Sequence, residues 1–202
     1  MKNDEASIGV PRQYRQGARA EAAAETHRRI AEAVLKFMRE RWVDEITLVD
    51  VAEAAGVSVQ TVIRRFSGKE GLLKAAVELI SPQMKPRREA AAPDIRSTLA
   101  ALIADYEAEG DLVVRILAQE TRSPVVKVWL DVGRAEHRRW VERSFDRWLA
   151  GLEPALRERR VLELIVITDV YTWQILRRDQ GKRAEEVVDI MEEMAGRLLE
   201  SG

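Results

Sequence analysis

The 202-residue chain has no cysteine, so neither disulfides nor thiolate metal ligation can contribute. Histidine is nearly missing as well. His27 and His137 stand far apart in sequence, which argues against a histidine metal centre. Long apolar runs are also lacking. The most apolar stretch, Val161 to Ile167, is interrupted by Glu163 and is much too short to cross a bilayer. Met1 to Ala6 is polar, with no apolar run of signal-peptide length. There is no HExxH, no ExxH repeat, no Gly-rich phosphate loop and no Ser or Cys nucleophile motif. Nor does any segment show sustained strand alternation or a hairpin signal. These absences disfavour an enzyme, a β fold and a membrane protein. They leave a soluble, cytoplasmic, all-α protein with no metal and no cofactor as the expectation.

The charge that is present is nearly balanced, with 33 Lys and Arg against 34 Asp and Glu. Its distribution is uneven. No acid lies between Glu53 and Glu70, while Arg64, Arg65 and Lys69 fall inside that gap. A local positive face on a near-neutral protein suffices to engage phosphates.

Residues 1–20 read as a basic arm without fixed structure. They contain Gly9, Pro11 and Gly17, with Arg12, Arg15 and Arg19 scattered among few large apolar residues. From there the pattern becomes helical. Ile30, Val34 and Phe37 recur at i, i+4 and i+7, in a first helix expected to end near Trp42. Thr47 with Asp50 three residues on marks a helix start, and Leu48, Val51, Ala52 and Ala55 form its inner face. Gly56 stops that helix and Ser58 caps the next, Val59 to Phe66. Ser67 and Gly68 break it before a further helix from Lys69 to Ile80. Ser81 to Pro93, with three prolines and Lys85, Arg87 and Arg88, reads as a linker. Later helices are expected at 94–108, 111–121, 124–150, 155–178 and 182–200, with stops at Gly110, Gly151 and Gly181. The organisation is thus an arm at 1–20, a three-helix DNA-binding domain at 21–80, a linker at 81–93 and a larger helical domain at 94–202. About nine helices are expected in all.

Two short helices joined by a glycine turn describe a helix-turn-helix, in which the first braces the second against the major groove. Small Ala52 allows close approach, Gly56 supplies a positive-φ turn, and Val57 plugs the core beneath it. Val59, Gln60 and Thr61 then occupy the first turn of the second helix, nearest to base edges.

The stretch Thr47 to Leu73, TLVDVAEAAGVSVQTVIRRFSGKEGLL, resembles the TetR family. The matching elements are Val57-Ser58, Thr61-Val62, Phe66 and Lys69-Glu70-Gly71-Leu72, together with the helix from Thr26 to Met38. Ile63 stands where that family often has a phosphate-touching Tyr, Arg65 where it often has His or Tyr, and Trp42 where a Gly commonly ends the first helix. The resemblance implies a transcriptional regulator that binds a double-stranded operator as a homodimer and answers to a small apolar effector. It also implies roles: Gln60 for a base contact, Thr61 for a thymine methyl or a phosphate, and Arg64 and Arg65 for phosphate grip, with guanine within reach of either. Thr47, Lys69 and the start of the fourth helix would bind phosphate too, and Ser58 and Val59 complete the DNA-facing set.

The helical C-terminal region is less legible. Val161 to Leu176 is apolar nearly all round and must be covered on several sides. Val187, Met191, Met194 and Leu198 form a stripe on the final helix. These helices resemble the pair that builds a dimer bundle in TetR proteins, which makes Leu164, Thr168, Ile175, Val187, Met191, Met194 and Leu198 candidate interface residues. An internal core explains the pattern equally well, and the two readings stay open here. Tyr106, Trp129, Trp140, Tyr171 and Trp173 are candidate pocket residues. Asp169, within an apolar stretch, needs a partner: a ligand cation, Arg115, or a group across a dimer. His137, among Arg134, Glu136, Arg138 and Arg139, reads as solvated.

Overall fold

A computed structural model describes residues 12–89 and 94–200, and every regular element among them is helical. The chain divides into two compact units. One comprises residues 1–36 and 46–79, the other residues 37–45 and 80–202. Residues 1–11 of the expected arm and 90–93 of the expected linker lie outside the described residues.

The first four helices are α1 (Arg12–Glu40), α2 (Leu48–Ala54), α3 (Val59–Phe66) and α4 (Lys69–Glu89), of which the N-terminal unit holds α1 to residue 36, α2, α3 and α4 to residue 79. Ile30, Ala31 and Val34 of α1, Val51 and Ala52 of α2, Val62 and Phe66 of α3, and Leu72, Leu73 and Ala76 of α4 are buried together as its core. Two expectations are corrected. Residues 12–20 are helical, because Gln, Ala and Arg there are good helix formers and carry α1 on past its packed part. The segment 81–89 is helical too. α4 passes through Pro82 and Pro86, each of which forgoes one backbone hydrogen bond, and the helix-favouring residues between them sustain it. α1 ends at Glu40 rather than near Trp42.

In the C-terminal unit the helices are α5 (Ile95–Leu117), α6 (Pro124–Ser144), α7 (Asp146–Leu149), α8 (Pro154–Ile167), α9 (Val170–Gln174) and α10 (Ala184–Glu200). A π-helical turn, Ile175–Asp179, continues α9. The expected stop at Gly110 does not occur. That glycine is there for close approach: a Cβ on it would lie 2.6 Å from the ring of Trp173, which packs flat across α5. Conversely, the expected single helix at 155–178 breaks. The Thr168 hydroxyl donates to the Leu164 carbonyl at 2.7 Å, and the Asp169 carboxylate accepts the Tyr171 N–H at 2.8 Å, capping a new helix. Leu99, Leu102, Tyr106, Phe145, Leu149, Trp173 and Met191 sit in the core of this unit.

The 3-10 turn Val43–Glu45, just before α2, belongs to the C-terminal unit. Its Val43 N–H donates to Gln119 Oε1 at 2.5 Å, and Asp44 pairs with Arg122 at 2.7 Å. The Arg122 guanidinium also lies over the Trp42 ring, 4.8 Å from its centre.

Candidate nucleic-acid interface

The geometry of α2 and α3 follows from three local devices. Thr47 and Asp50 form a reciprocal capping box: the Thr47 side chain accepts the Asp50 N–H, and the Asp50 carboxylate accepts the Thr47 N–H. Gly56, at φ 63°, reverses the chain at no steric cost. Ser58 then caps α3 by accepting the Thr61 N–H, and its hydroxyl lies 2.9 Å from that of Thr61. The turn out of α3 is equally constrained. Ser67 adopts a left-handed φ of 57°, and a Cβ at Gly71 would stand 2.0 Å from the Phe66 carbonyl oxygen. Only a residue without a side chain lets α4 pass this close to the end of α3. The sequence contains the signal for this, a glycine in a helix's first turn, but its meaning was invisible without the neighbouring carbonyl.

The exposed side of α3 carries Gln60, Ile63 and Arg64, with Thr61 and Val59 half-buried beside them. Neither Gln60 nor Arg64 has a side-chain hydrogen bond or ion pair among the described residues. Val62 and Phe66 face the core. Thr47 and Ser58 are exposed at the two helix starts, and Lys69 is half-buried at the start of α4.

Arg65 has a partner within the unit. One helical step of about 100° beyond Arg64, it turns toward α1, where its guanidinium donates to the Ala23 carbonyl at 3.0 Å. Its Nε is buried without a partner. The bond to Ala23 braces α3 against α1. Beside it the His27 ring lies 4.6 Å from the Phe66 ring.

The candidate pocket residues of the C-terminal unit separate into two groups. Tyr106, Trp140 and Trp173 are buried in one core, with the Tyr106 and Trp173 ring centres 5.9 Å apart. Trp129 is half-buried on α6, Tyr171 is exposed, and Asp169 is occupied as the α9 cap. Two further polar residues of this unit are withdrawn from solvent. Asp105 is fully buried. His137, expected in solvent, is half-buried with Nε2 3.0 Å from the Thr168 hydroxyl and its ring stacked on Trp140. The Tyr106 hydroxyl donates to the Thr168 carbonyl at 2.9 Å. Helical spacing carried the clue for Asp105, three residues from buried Leu102 on one face of α5.

The expected dimer stripe is likewise divided. Leu164, Thr168, Val187 and Met191 are fully buried within the subunit, so they build its core rather than an outward face. Ile175 and Met194 are exposed, and Leu198 is half-buried. The exposed apolar surface of α8 is instead Leu162 and Val166. A groove of about 510 Å³ runs here, lined by Arg160, Glu163, Val166, Ile167, Met194 and Leu198, among others.

Ion pairs fill the remaining surface of this unit. Glu107 accepts from both the Trp173 indole and Arg177, each at 2.9 Å. Burial pushes its carboxyl up, but these two donors outweigh that and hold it below the ordinary glutamate value. Asp111 is likewise lowered, by its paired hydrogen bonds from Arg178.

Within this unit, α2 and α3 joined by the Gly56 turn, with α3 capped and exposed on one side, form a helix-turn-helix. Residues 28–76 match the family model described as bacterial regulatory proteins, tetR family, and this stretch takes in α2, α3 and the packed parts of α1 and α4. Solved structures share the whole fold. A transcriptional regulator from Rhodococcus sp. Rha1 is 17% identical with a TM-score of 0.67, over 87% of this chain and 96% of that one. A tetR-family regulator from Streptomyces coelicolor is 18% identical with a TM-score of 0.65, over 88% of each chain. A structure described as a regulator from Saccharomonospora viridis in complex with choline is 16% identical with a TM-score of 0.58, over 84% of this chain and 95% of that one. No curated protein matches by sequence. The chain therefore has the fold seen in structures of TetR-family transcriptional regulators.

Proposed function

We propose that the protein is a ligand-responsive repressor that binds a palindromic operator as a homodimer in the cytoplasm. The observation that carries the DNA-binding part is the pair Gln60 and Arg64, exposed on a capped helix and free of internal partners. Gln60 would pair its amide with adenine, Arg64 would hold a phosphate, and Thr47, Ser58, Val59, Thr61 and Lys69 would complete the contact surface. Arg65 supports this surface by fixing the pitch of α3 against α1. Footprinting on random-pool DNA selected by the protein tests the reading. A protected palindrome is expected, and no protected sequence would end it.

Dimerisation supplies two recognition helices for half-sites about 34–36 Å apart. The exposed Leu162, Val166, Ile175 and Met194 are the apolar side chains that a second copy would cover, with Arg160 and Glu163 at the rim for reciprocal pairing. Val166→Arg should convert the dimer to a monomer by light scattering. An unchanged mass would remove α8 from the interface.

The effector would act at the core around Tyr106, Trp140 and Trp173, where His137, stacked on Trp140, adds a polar group to an aromatic lining. The choline held by one structure of the same fold supports a small organic ligand here. Trp173 is seated on Gly110, so a ligand entering beside it has to move α9 against α5. α5 ends beside Gln119, which with Arg122 fixes the turn leading into Thr47. Ligand binding would bias that turn, within the limit set by its differential affinity for the two states. The second reading is an effector-independent DNA-binding protein governed by a protein partner. A thermal-shift screen of small apolar and cationic compounds separates the two: a shift with accompanying loss of operator affinity favours the first, and no shift favours the second.

A further inference from the structure

We propose that Ile63 is a specificity-determining residue of the recognition helix: its side chain reads the C5-methyl group of a thymine within one base pair of the base contacted by Gln60. The inference rests on the DNA-binding reading above and deepens it, because it fixes part of the chemistry of the operator.

The apolar side chains of α3 divide. Val62 and Phe66 are buried in the core, whereas Ile63 is 40% exposed. Among the described residues of the N-terminal unit, Ile63 and Val49 are the large apolar side chains left exposed. A single exposed aliphatic residue is ordinary on a protein surface. The place of this one is not.

Successive residues of a helix advance by about 100°. Ile63, Gln60 and Arg64 therefore share one arc, with Gln60 between the other two, and all three are exposed. Half-buried Val59 lies one turn behind Ile63, as Gln60 lies one turn behind Arg64. The outward side of α3 thus carries two parallel lines, one apolar and one polar. The Ser58 cap and the Arg65 bond to Ala23 hold the helix in place beneath them. β-Branching restricts the χ1 angle of Ile63, so its methyl groups are presented in a fixed direction.

A helix in the major groove meets phosphates, hydrogen-bonding base edges and one kind of hydrocarbon, the thymine methyl. Arg64 suits the first and Gln60 the second. Ile63 can make no hydrogen bond, so only the third matches it. Against the exocyclic amine of cytosine it would displace water and return no hydrogen bond. Attraction and rejection therefore favour the same base. Three residues of helix rise about 4.5 Å, and base pairs stack about 3.4 Å apart. The methyl accordingly belongs to the pair read by Gln60 or to its neighbour.

The test starts from the operator that the wild-type protein selects out of random DNA. Each thymine of a half-site is replaced singly by deoxyuridine, which removes the methyl and keeps every hydrogen-bonding group. A thymine within one base pair of the position whose preference Gln60→Ala relaxes should lose about fourfold in affinity per half-site, the worth of one buried methyl group. Ile63→Ala should bind the thymine duplex more weakly than wild type and bind thymine and uridine duplexes alike, while Ile63→Val keeps most of the discrimination. Thr61→Ser, which removes the other methyl near this face, should leave it intact. The salt slope should not change in Ile63→Ala, because no phosphate contact is lost. Absence of a uridine-sensitive thymine at this place would overturn the proposal, as would a sensitivity that survives Ile63→Ala or disappears in Thr61→Ser. Each of these leaves the DNA-binding reading intact. A wild type that enriches no sequence overturns both.

Discussion

The cations of α3 and those of the C-terminal unit are held differently, although Arg28 of α1 pairs with Glu25 and Glu32. In the C-terminal unit Arg96, Arg122, Arg134, Arg138, Arg177 and Arg178 each hold a carboxylate of the same unit, most across separate helices. In the N-terminal unit Arg64 meets no carboxylate among the described residues, and Arg65 meets only a backbone carbonyl. A paired arginine is neutralised locally and contributes to the shape of its own fold. An unpaired one on a rigid, exposed helix keeps its charge for a partner, and in a chain with net charge −1 that local difference is what electrostatics can use.

The contrast can be broken most severely at Gly71. Gly71→Ala forces a methyl against a backbone carbonyl that cannot swing away, and should cost about 3 kcal/mol, the upper part of the usual range for overpacking. The loss should be confined to the N-terminal unit. Hydrogen exchange should rise there, while tryptophan fluorescence is unchanged, because all five tryptophans lie in the other unit.

Acid should act on the other side. Glu107 and Asp111 have lowered folded-state values, so their contribution is present above the ordinary carboxylate range and disappears as pH falls through the depressed values. Fluorescence-detected melting of the C-terminal unit should therefore drop as pH is taken below about 4, and Arg178→Ala should flatten that dependence. A dependence unchanged by Arg178→Ala would remove Asp111 and leave Glu107, held by Arg177 and Trp173.

The smallest effect on stability, and the sharpest contrast, comes from matched substitutions. Arg64→Ala should leave the melting temperature nearly unchanged, within about 0.5 kcal/mol as for other surface changes, yet weaken all operator sequences together and flatten the salt dependence. Arg134→Ala, which breaks exposed pairs with Glu120 and Asp131, should cost up to about 1 kcal/mol in stability and nothing in DNA affinity.

What the sequence made readable follows the same division. The start of α2 at Thr47, the turn at Gly56 and the cap at Ser58 are governed by neighbours within four residues, and each lies where local chemistry put it. The bond made by Arg65 was not legible because its partner, Ala23, is 42 residues away. The same is true of Gly110, whose reason for being glycine is Trp173, and of His137, whose partner is Thr168. Leu164 and Met191 looked equally suited to a core and to an interface, since an apolar stripe reports only that something covers it. A helix assigned as an unstructured arm shows the converse error: composition registers the lack of a core, but not whether a packed helix next door is carried onward.

The seat of Trp173 on Gly110 has a consequence for how this chain can change over time. Neither residue is free to vary alone, because any side chain at 110 collides with the indole and any smaller ring at 173 leaves a void against bare backbone. Descendants that fill position 110 must trim position 173 in the same lineage. The two positions should therefore drift as a pair, and a ring that also donates to Glu107 would take a piece of the surface charge pattern with it.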